Sequence, residues 1–183
     1  MKQQRLHVPS ALVLLVIASL LAGCEAAQVP LGEADEMLVD PRVTGQWVFV
    51  SDDDDDDDSE SRMSIWAFND HEYYVEWETV DGEHDMDRIR MYASDLGDVL
   101  FANVQCIDCT PDERDEWFFF QFELVSDNEL ILRSIENEHY RDAMADMTRS
   151  RDVRQYVEQH MHEDGFFSEE VGRFVRANPS DEG

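Results

Sequence analysis

From residue 45 onward, apolar and polar residues alternate in short runs separated by turn signals. The run Glu72–Thr79 shows the pattern clearly, with Tyr73 and Val75 on one face and Tyr74 and Glu76 on the other. A period of two is typical of a β-strand with one buried face. Seven such runs predict strands over residues 45–50, 63–68, 72–79, 88–94, 99–106, 117–125 and 130–135.

Short turn signals join these runs, among them Asn69-Asp70 and Asp81-Gly82. Consecutive strands joined by short turns form an antiparallel meander, and a twisted meander hides its edges by curling on itself. The predicted fold is therefore mainly β, a seven- to eight-stranded antiparallel meander that forms a small barrel or half-barrel.

After residue 135 the apolar spacing changes to the helical period of about 3.6. The pattern predicts a weak helix over Tyr140–Met147 and a second helix that starts near Ser150 and buries Val153 and Val157. A third helix is predicted after Ser168, and it would bury Phe174. We therefore expect two or three C-terminal helices over about residues 140–177, which plug one end of the barrel or cover an open edge.

The first residues differ from the rest of the chain. Lys2 and Arg5 precede an apolar run over residues 11–21, which is shorter than the roughly 20 residues that cross a bilayer core. Charge and length are typical of a secretory signal. The segment Leu21-Ala22-Gly23-Cys24 resembles the lipobox of bacterial lipoproteins. The alternative is an ordinary signal with an incidental cysteine.

The lipoprotein resemblance implies cleavage before Cys24 and acylation of that residue. Residues 1–23 would then be the signal peptide, residues 24–40 the lipidated cysteine and a flexible tether, and residues 41–183 a single barrel-like domain with a helical tail. Several acyl chains hold a protein on a membrane without a spanning helix. Glu25 follows the cysteine, in place of the Asp that resembles an inner-membrane retention signal, so we expect an outer-membrane protein of the cell envelope.

The Gly45-x-Trp47 motif at the start of the first strand resembles the lipocalin opening motif. A wider likeness to small envelope lipoproteins with lipocalin-like barrels covers roughly residues 41–168. Its matching residues are Gly45, Trp47, Leu96, Gly97, Leu100, Phe101, Phe166, Phe167 and the segment Val153–His160. The resemblance implies a fold and a location, and it implies no activity because a fold does not carry a function.

The chain is strongly acidic, with 43 Asp and Glu against 14 Lys and Arg and a formal net charge of -29. Lys2 is its only lysine. Such a surface repels itself in dilute buffer, and the repulsion largely disappears in molar salt, where the Debye length is about 3 Å. The composition resembles that of proteins from salt-loving organisms. It argues against nucleic-acid binding, which needs basic patches.

Cys106 and Cys109 flank Ile107-Asp108 in the connection between the fifth and sixth predicted strands. An exported protein meets an oxidising compartment, so we expect a local disulfide. The alternatives are a redox role, a metal site and a pair of incidental thiols. A thioredoxin-like redox role would need this motif at a helix N-terminus, and a structural zinc site would need two more ligands.

Seven consecutive aspartates follow the first strand. They are Asp52, Asp53, Asp54, Asp55, Asp56, Asp57 and Asp58. Like charges this dense predict a solvated loop that attracts cations weakly. The run lacks the glycine and the spacing of an EF-hand, so we expect no selective metal site and no cofactor.

The sequence contains neither a Gly-x-Ser-x-Gly nor a phosphate-binding glycine loop. We therefore expect a non-catalytic lipoprotein, anchored to the membrane through Cys24, that acts as a structural or ligand-binding module of the envelope. The expected partner, besides the membrane itself, is an apolar small molecule or an envelope protein. The alternatives are a thiol-redox accessory that uses Cys106 and Cys109, and a protein-interaction module of envelope assembly.

Overall fold

The computed structural model describes residues 26–50, 60–80, 84–110, 115–168 and 172–177. The expected lipidation site Cys24 and the aspartate run Asp52–Asp58 lie outside these residues. Within them, eight antiparallel strands form a closed barrel in which each strand pairs with its neighbours in sequence and the last pairs with the first. The strands are β1 (Gly45–Val50), β2 (Glu60–Ala67), β3 (Tyr73–Val80), β4 (His84–Leu96), β5 (Val99–Cys106), β6 (Phe118–Ser126), β7 (Glu129–Ser134) and β8 (Gly172–Arg176).

The predicted fold class, a mainly β antiparallel meander closed into a small barrel, is confirmed. Alternation along each strand sends one set of apolar side chains into the interior. This interior core contains Trp47, Ile65, Val75, Met91, Leu130 and Phe174. Burial of such apolar surface is the main favourable term in folding.

The eighth strand corrects the prediction of a third helix after Ser168. Residues Gly172–Arg176 are a strand that pairs with β1 on one side and β7 on the other. The spacing of Val171, Phe174 and Val175 fits a helix as well as a strand, because a run of this length has too few apolar residues to fix a period. The strand is favoured because β8 pairs with both β1 and β7. It thereby completes the backbone hydrogen bonds of two strand edges that would otherwise stay open.

The seam between β1 and β8 explains the Gly45-x-Trp47 motif in physical terms. The Arg176 guanidinium lies 4.4 Å from the Trp47 ring, and its Nη1 donates to the carbonyl oxygen of Thr44 at 2.9 Å. A Cβ on Gly45 would come within 2.5 Å of Nη1. Gly45 also has φ +128°, a conformation that favours glycine. The glycine therefore makes room for the arginine that covers the tryptophan.

The helices lie against the outside of the barrel. They are α1 (Asn137–His139), which continues into a π-helical turn (Tyr140–Met144), and α2 (Ser150–His160). They pack on outward-facing side chains of β4, β5 and β6, among them Tyr92, Phe101 and Phe119. The expectation that helices plug an end of the barrel is therefore wrong, and the predicted helical tail over 140–177 ends at His160.

The expected flexible tether is also wrong for the part that the structure describes. Ala27 and Trp117 exchange two backbone hydrogen bonds, of 3.0 and 2.8 Å. Leu31 is fully buried, and its amide donates to Asn103 Oδ1 at 2.8 Å. Residues 26–36 therefore belong to the folded domain, because Ala27, Leu31 and the partly buried Val29 and Ala34 pack with outward-facing side chains of the barrel wall.

Among the described residues, no helix combines the length and the hydropathy needed to cross a membrane.

Candidate functional site

The barrel has two ends, and one of them is crossed by residues 37–43, which we call the mouth segment. Hydrogen bonds fasten it to the turn between β2 and β3. The amide of Val39 donates to the Asp70 carbonyl oxygen at 2.9 Å, and His71 Nδ1 lies 2.8 Å from the Met37 carbonyl oxygen. We call this end, which also carries the β4–β5 and β6–β7 turns, the cavity end.

Under the mouth segment lies an apolar cavity of about 160 Å³. Its walls come from inward-facing residues of β4, β5 and β6 and from the mouth segment itself. They include Met37, Leu38, Val43, Met91, Ala93, Leu100, Ala102, Phe122 and Leu124.

The cavity has an identifiable cause in the sequence. Ala93 on β4 and Ala102 on β5 are directly paired, and both line the cavity. Directly opposed side chains on one face of a sheet are close neighbours. Two methyl groups at such a pair leave space that larger residues fill elsewhere in the interior, where Trp77 meets Phe174 edge to face at 5.4 Å.

Polar groups stand at the edge of this cavity. The Tyr73 hydroxyl accepts a hydrogen bond of 2.6 Å from the Asp40 amide, and burial raises the pKa of Tyr73. Arg42 Nη2 donates to the Asp40 carboxylate at 2.6 Å, and the hydrogen bonds from Arg42 lower the pKa of Asp40. Both groups are therefore held in their ordinary charge states at neutral pH, with partners already in place. The arrangement orders the mouth segment.

The cavity end carries exposed apolar side chains. Leu38 of the mouth segment is 70% exposed, and Phe68 of the β2–β3 turn is 72% exposed. The hydrogen bond between Val39 and Asp70 brings these two stretches of chain together. Of the two side chains, Leu38 also lines the cavity, so the entrance carries an exposed apolar side chain.

Cys106 and Cys109 lie at the other end of the barrel, which we call the disulfide end. They form a disulfide that closes the loop after β5. Arg88 holds this loop, because its Nη1 donates to Asp108 Oδ2 at 3.1 Å and its carbonyl oxygen accepts from the Ile107 amide at 2.8 Å. The loop leads from β5 to β6, whereas α1 and α2 follow β7. No described helix begins at the motif, as a thioredoxin-like centre would require.

The same loop is the one place among the described residues where three potential metal-ligand groups converge. They are Cys106, Asp108 and Cys109, whose ligand atoms lie within 4.8 Å of one another. Thiolates, not disulfide sulfurs, are the metal ligands. In the bridged form the loop thus offers a cation only the carboxylate of Asp108, which Arg88 already binds.

The sequence predicted none of the cavity-lining residues as a site. Alternation places Ala93 on an inward face, and the turn at residues 95–98 fixes the register that pairs it with Ala102. The pairing of two small inward-facing residues, Ala93 and Ala102, could thus have indicated a cavity from the sequence. The contribution of Met37 and Val43 was hidden, because the sequence suggested that the mouth segment lies at the boundary of the domain.

A scan against protein-family models, a search of curated proteins and a search of solved structures each returned no match to this chain.

Proposed function

We propose that this chain is an exported lipoprotein, anchored to the envelope through Cys24, whose barrel binds a small apolar ligand at the cavity end. The cavity lined by Ala93 and Ala102 is the observation that carries the ligand-binding part. The lipobox-like Leu21-Ala22-Gly23-Cys24 supports the anchor. The barrel with its Gly45-x-Trp47 opening supports a lipocalin-like classification, and the acidic composition supports a working environment of high salt.

The size of the cavity limits the ligand class. Apolar cavities of about 150 Å³ admit benzene-sized molecules, while drug-sized ligands occupy roughly 300–1,000 Å³. A space of about 160 Å³ fits a small aromatic molecule or the end of an alkyl chain. Leu38, which lines the cavity and is 70% exposed, would cover further methylenes of a chain that emerges from the entrance.

Methyl NMR in molar KCl would test the ligand site directly, with n-hexanol, n-octanol and n-decanol as probes. We expect saturable shifts at the methyl groups of Met91, Ala93, Ala102 and Leu124, and tighter binding for the longer alcohols, because each buried methylene contributes about 0.8 kcal/mol. Methyl resonances that do not move with any of the three alcohols would contradict the proposal.

The substitution Ala93→Leu is the corresponding loss-of-function variant. It places three more carbon atoms in the cavity, and we expect it to abolish the alcohol-induced shifts while the barrel remains folded. Ala67→Leu is the matched control, because Ala67 is an exposed residue of β2. A retained affinity in Ala93→Leu would show that the alcohols bind elsewhere.

The anchor is tested separately by intact mass measurement on the membrane fraction. We expect a mature chain that begins at Cys24 and carries acyl mass, and a Cys24→Ser variant that carries none and leaves the membrane fraction. An unacylated chain in the wild-type protein would refute the lipid anchor, and it would not affect the proposal of a ligand site.

A further inference from the structure

The loop that follows β5 is held in place by contacts that do not depend on its disulfide. Cys106, the last residue of β5, pairs with Ile89 of β4. The Ile107 amide donates to the Arg88 carbonyl oxygen at 2.8 Å, and the Arg88 amide donates to Asp108 Oδ1 at 3.2 Å. The Arg88 guanidinium donates to the other carboxylate oxygen of Asp108 at 3.1 Å. Breaking the sulfur–sulfur bond therefore leaves this stretch of backbone attached to β4.

We propose that reduction turns this loop into a binding site for a thiophilic divalent cation of the Zn²⁺ class. The ligands are the thiolates of Cys106 and Cys109 and the carboxylate of Asp108, whose ligand atoms already lie within 4.8 Å of one another. A water molecule would complete a tetrahedral site, as in zinc sites that have three protein ligands. The inference rests neither on the lipid anchor nor on the cavity, because every residue it uses lies in this loop or in β4.

The oxidised pair does not bind the ion through sulfur, because the metal ligand is the thiolate. Opening the site requires a dithiol reductant. One thiolate of the reductant attacks the disulfide, its second thiolate resolves the mixed disulfide, and the reductant leaves as a disulfide. The bond between Cys106 and Cys109 thus breaks and takes up two electrons and two protons, and the cation then displaces the two thiol protons. A reductant can reach the loop, because Ile107 is 42% exposed and Asp108 is exposed.

The distances fit this ion after small movements of the side chains. Zinc bonds of about 2.3 Å to sulfur and about 2.0 Å to oxygen place two sulfur ligands roughly 3.8 Å apart and a sulfur and an oxygen roughly 3.5 Å apart in a tetrahedral site. Cys106 Sγ and Asp108 Oδ1 lie 3.8 Å apart. From a bonded separation of about 2.05 Å, each sulfur would move by about 0.9 Å, which rotation about the Cα–Cβ bonds allows with the backbone in place.

Charge and ligand type favour this class of ion over others. Two thiolates and one carboxylate carry three negative charges, which a divalent cation and the guanidinium of Arg88 together balance. Soft thiolates favour Zn²⁺, whereas Mg²⁺ and Ca²⁺ prefer oxygen ligands. The many carboxylates elsewhere on the chain therefore do not provide this selectivity, and the reduced loop does.

The test titrates Co²⁺, a spectroscopic substitute for Zn²⁺, into the full chain in molar KCl. Every sample carries Cys24→Ser, so that Cys106 and Cys109 are the only thiols, and each sample is prepared either oxidised or fully reduced. We expect a thiolate-to-cobalt charge-transfer band in the reduced chain alone, and about a hundredfold tighter Zn²⁺ binding than in the oxidised chain. Equal affinity in the two forms would overturn the proposal, because surface carboxylates would then bind the ion.

The variant Asp108→Asn tests the third ligand. We expect about tenfold weaker Zn²⁺ binding to the reduced chain, because a neutral amide replaces a carboxylate ligand. Asp115→Asn is the matched control, since Asp115 is an exposed acid in the same connection and lies outside the cluster. Equal losses in the two variants would refute the three-ligand site. Hydrogen exchange checks the loop itself: we expect the Ile107 amide to stay protected after reduction, and loss of that protection would contradict a site held in place by β4.

Discussion

The molecule has two apolar cores of different construction, one inside the barrel and one on its outer face. The interior core is built by alternate residues of all eight strands. The outer core joins Ala27 and Leu31 from the N-terminal segment, outward residues of β4–β6 such as Phe119, and helical residues such as Val157. The interior holds a cavity, while the outer core includes many of the largest fully buried side chains.

This difference indicates that the two cores have different roles: the interior core contains the cavity, and the outer core stabilises the barrel wall around it. Stretches from three separate parts of the chain meet in the outer core, and polar anchors fix them there: the Tyr140 hydroxyl accepts from the Phe119 amide at 2.7 Å. The outer core thus supports the wall of the barrel at β4 and β5, where Ala93 and Ala102 leave the interior thinly packed. We infer that an interior with a cavity is tolerated because its wall is reinforced from outside.

The largest expected effect comes from Phe119→Ala, which removes a fully buried ring from the outer core. Loss of a buried Phe side chain costs about 3–5 kcal/mol of unfolding free energy. We expect this loss in urea denaturation, together with faster hydrogen exchange in α2 than in β2 and β3. Exchange that accelerates equally throughout the molecule would show that the two cores do not open separately.

Glu123→Ala on the same strand is the control for this prediction. Glu123 is exposed, and substitutions at such positions usually change stability by less than about 0.5 kcal/mol. An effect as large as that of Phe119→Ala would attribute the loss to strand propensity in β6 and not to the outer core.

The two cores also differ in how far the sequence predicted them. Alternation in β3 and β6 identified the interior residues correctly, because a strand with one buried face has a distinct period. Phe119 and Tyr92 fall on the opposite face, which alternation marks as solvent-facing. They are buried because α2 and residues 26–36 pack on them. No local sequence pattern predicts that these two segments pack on the outer face of β4–β6. The cavity was hidden for a related reason, since an absence of side-chain volume appears only when the register of β4 and β5 is known.

A smaller effect is expected from Asn103→Leu, which breaks the polar link between the barrel wall and the N-terminal segment. Asn103 is fully buried; its Oδ1 accepts from the Leu31 amide, and its Nδ2 donates to Ser94 Oγ at 2.9 Å. A buried donor left without a partner costs about 1–3 kcal/mol. We expect a loss of that order, with the amide of Leu31 losing its hydrogen-exchange protection.

Ser94→Ala is the matched variant for Asn103. It removes one acceptor, while Asn103 Nδ2 keeps the Tyr92 carbonyl oxygen at 3.4 Å and Oδ1 keeps the Leu31 amide. We expect a loss of about 1 kcal/mol and a protected Leu31 amide. If both variants left Leu31 protected, apolar contacts and not Asn103 would hold the N-terminal segment on the barrel.

The smallest expected effect concerns Glu72 and Arg90, at the border between the cavity end and the outer core. Arg90 donates to Glu72, and its guanidinium lies 5.6 Å from the Tyr92 ring and 5.7 Å from the Trp117 ring. Burial alone would raise the pKa of Glu72, but the hydrogen bonds from Arg90 and Asn69 outweigh it and lower the pKa below 4.5. Because the folded state binds this proton less readily than the unfolded chain, the pair stabilises the fold above about pH 4.5, and this contribution is lost as the pH falls through the folded-state pKa.

Glu72→Gln should therefore lower the unfolding free energy by less than about 1 kcal/mol at neutral pH, as expected for a partly exposed ion pair. Removing any carboxylate also relieves the repulsion within a chain of net charge -29, so the comparison must be with Glu123→Gln, which changes the net charge equally. The difference between the two variants isolates the pair with Arg90. It should shrink in molar KCl, because screening weakens a partly exposed pair, and it should shrink again as the pH falls through the lowered pKa of Glu72, because the carboxylate then takes up its proton. A difference that persists under both conditions would mean that Glu72 acts through packing or neutral hydrogen bonds, and the charge of Arg90 would then not help to join the outer core to the cavity end.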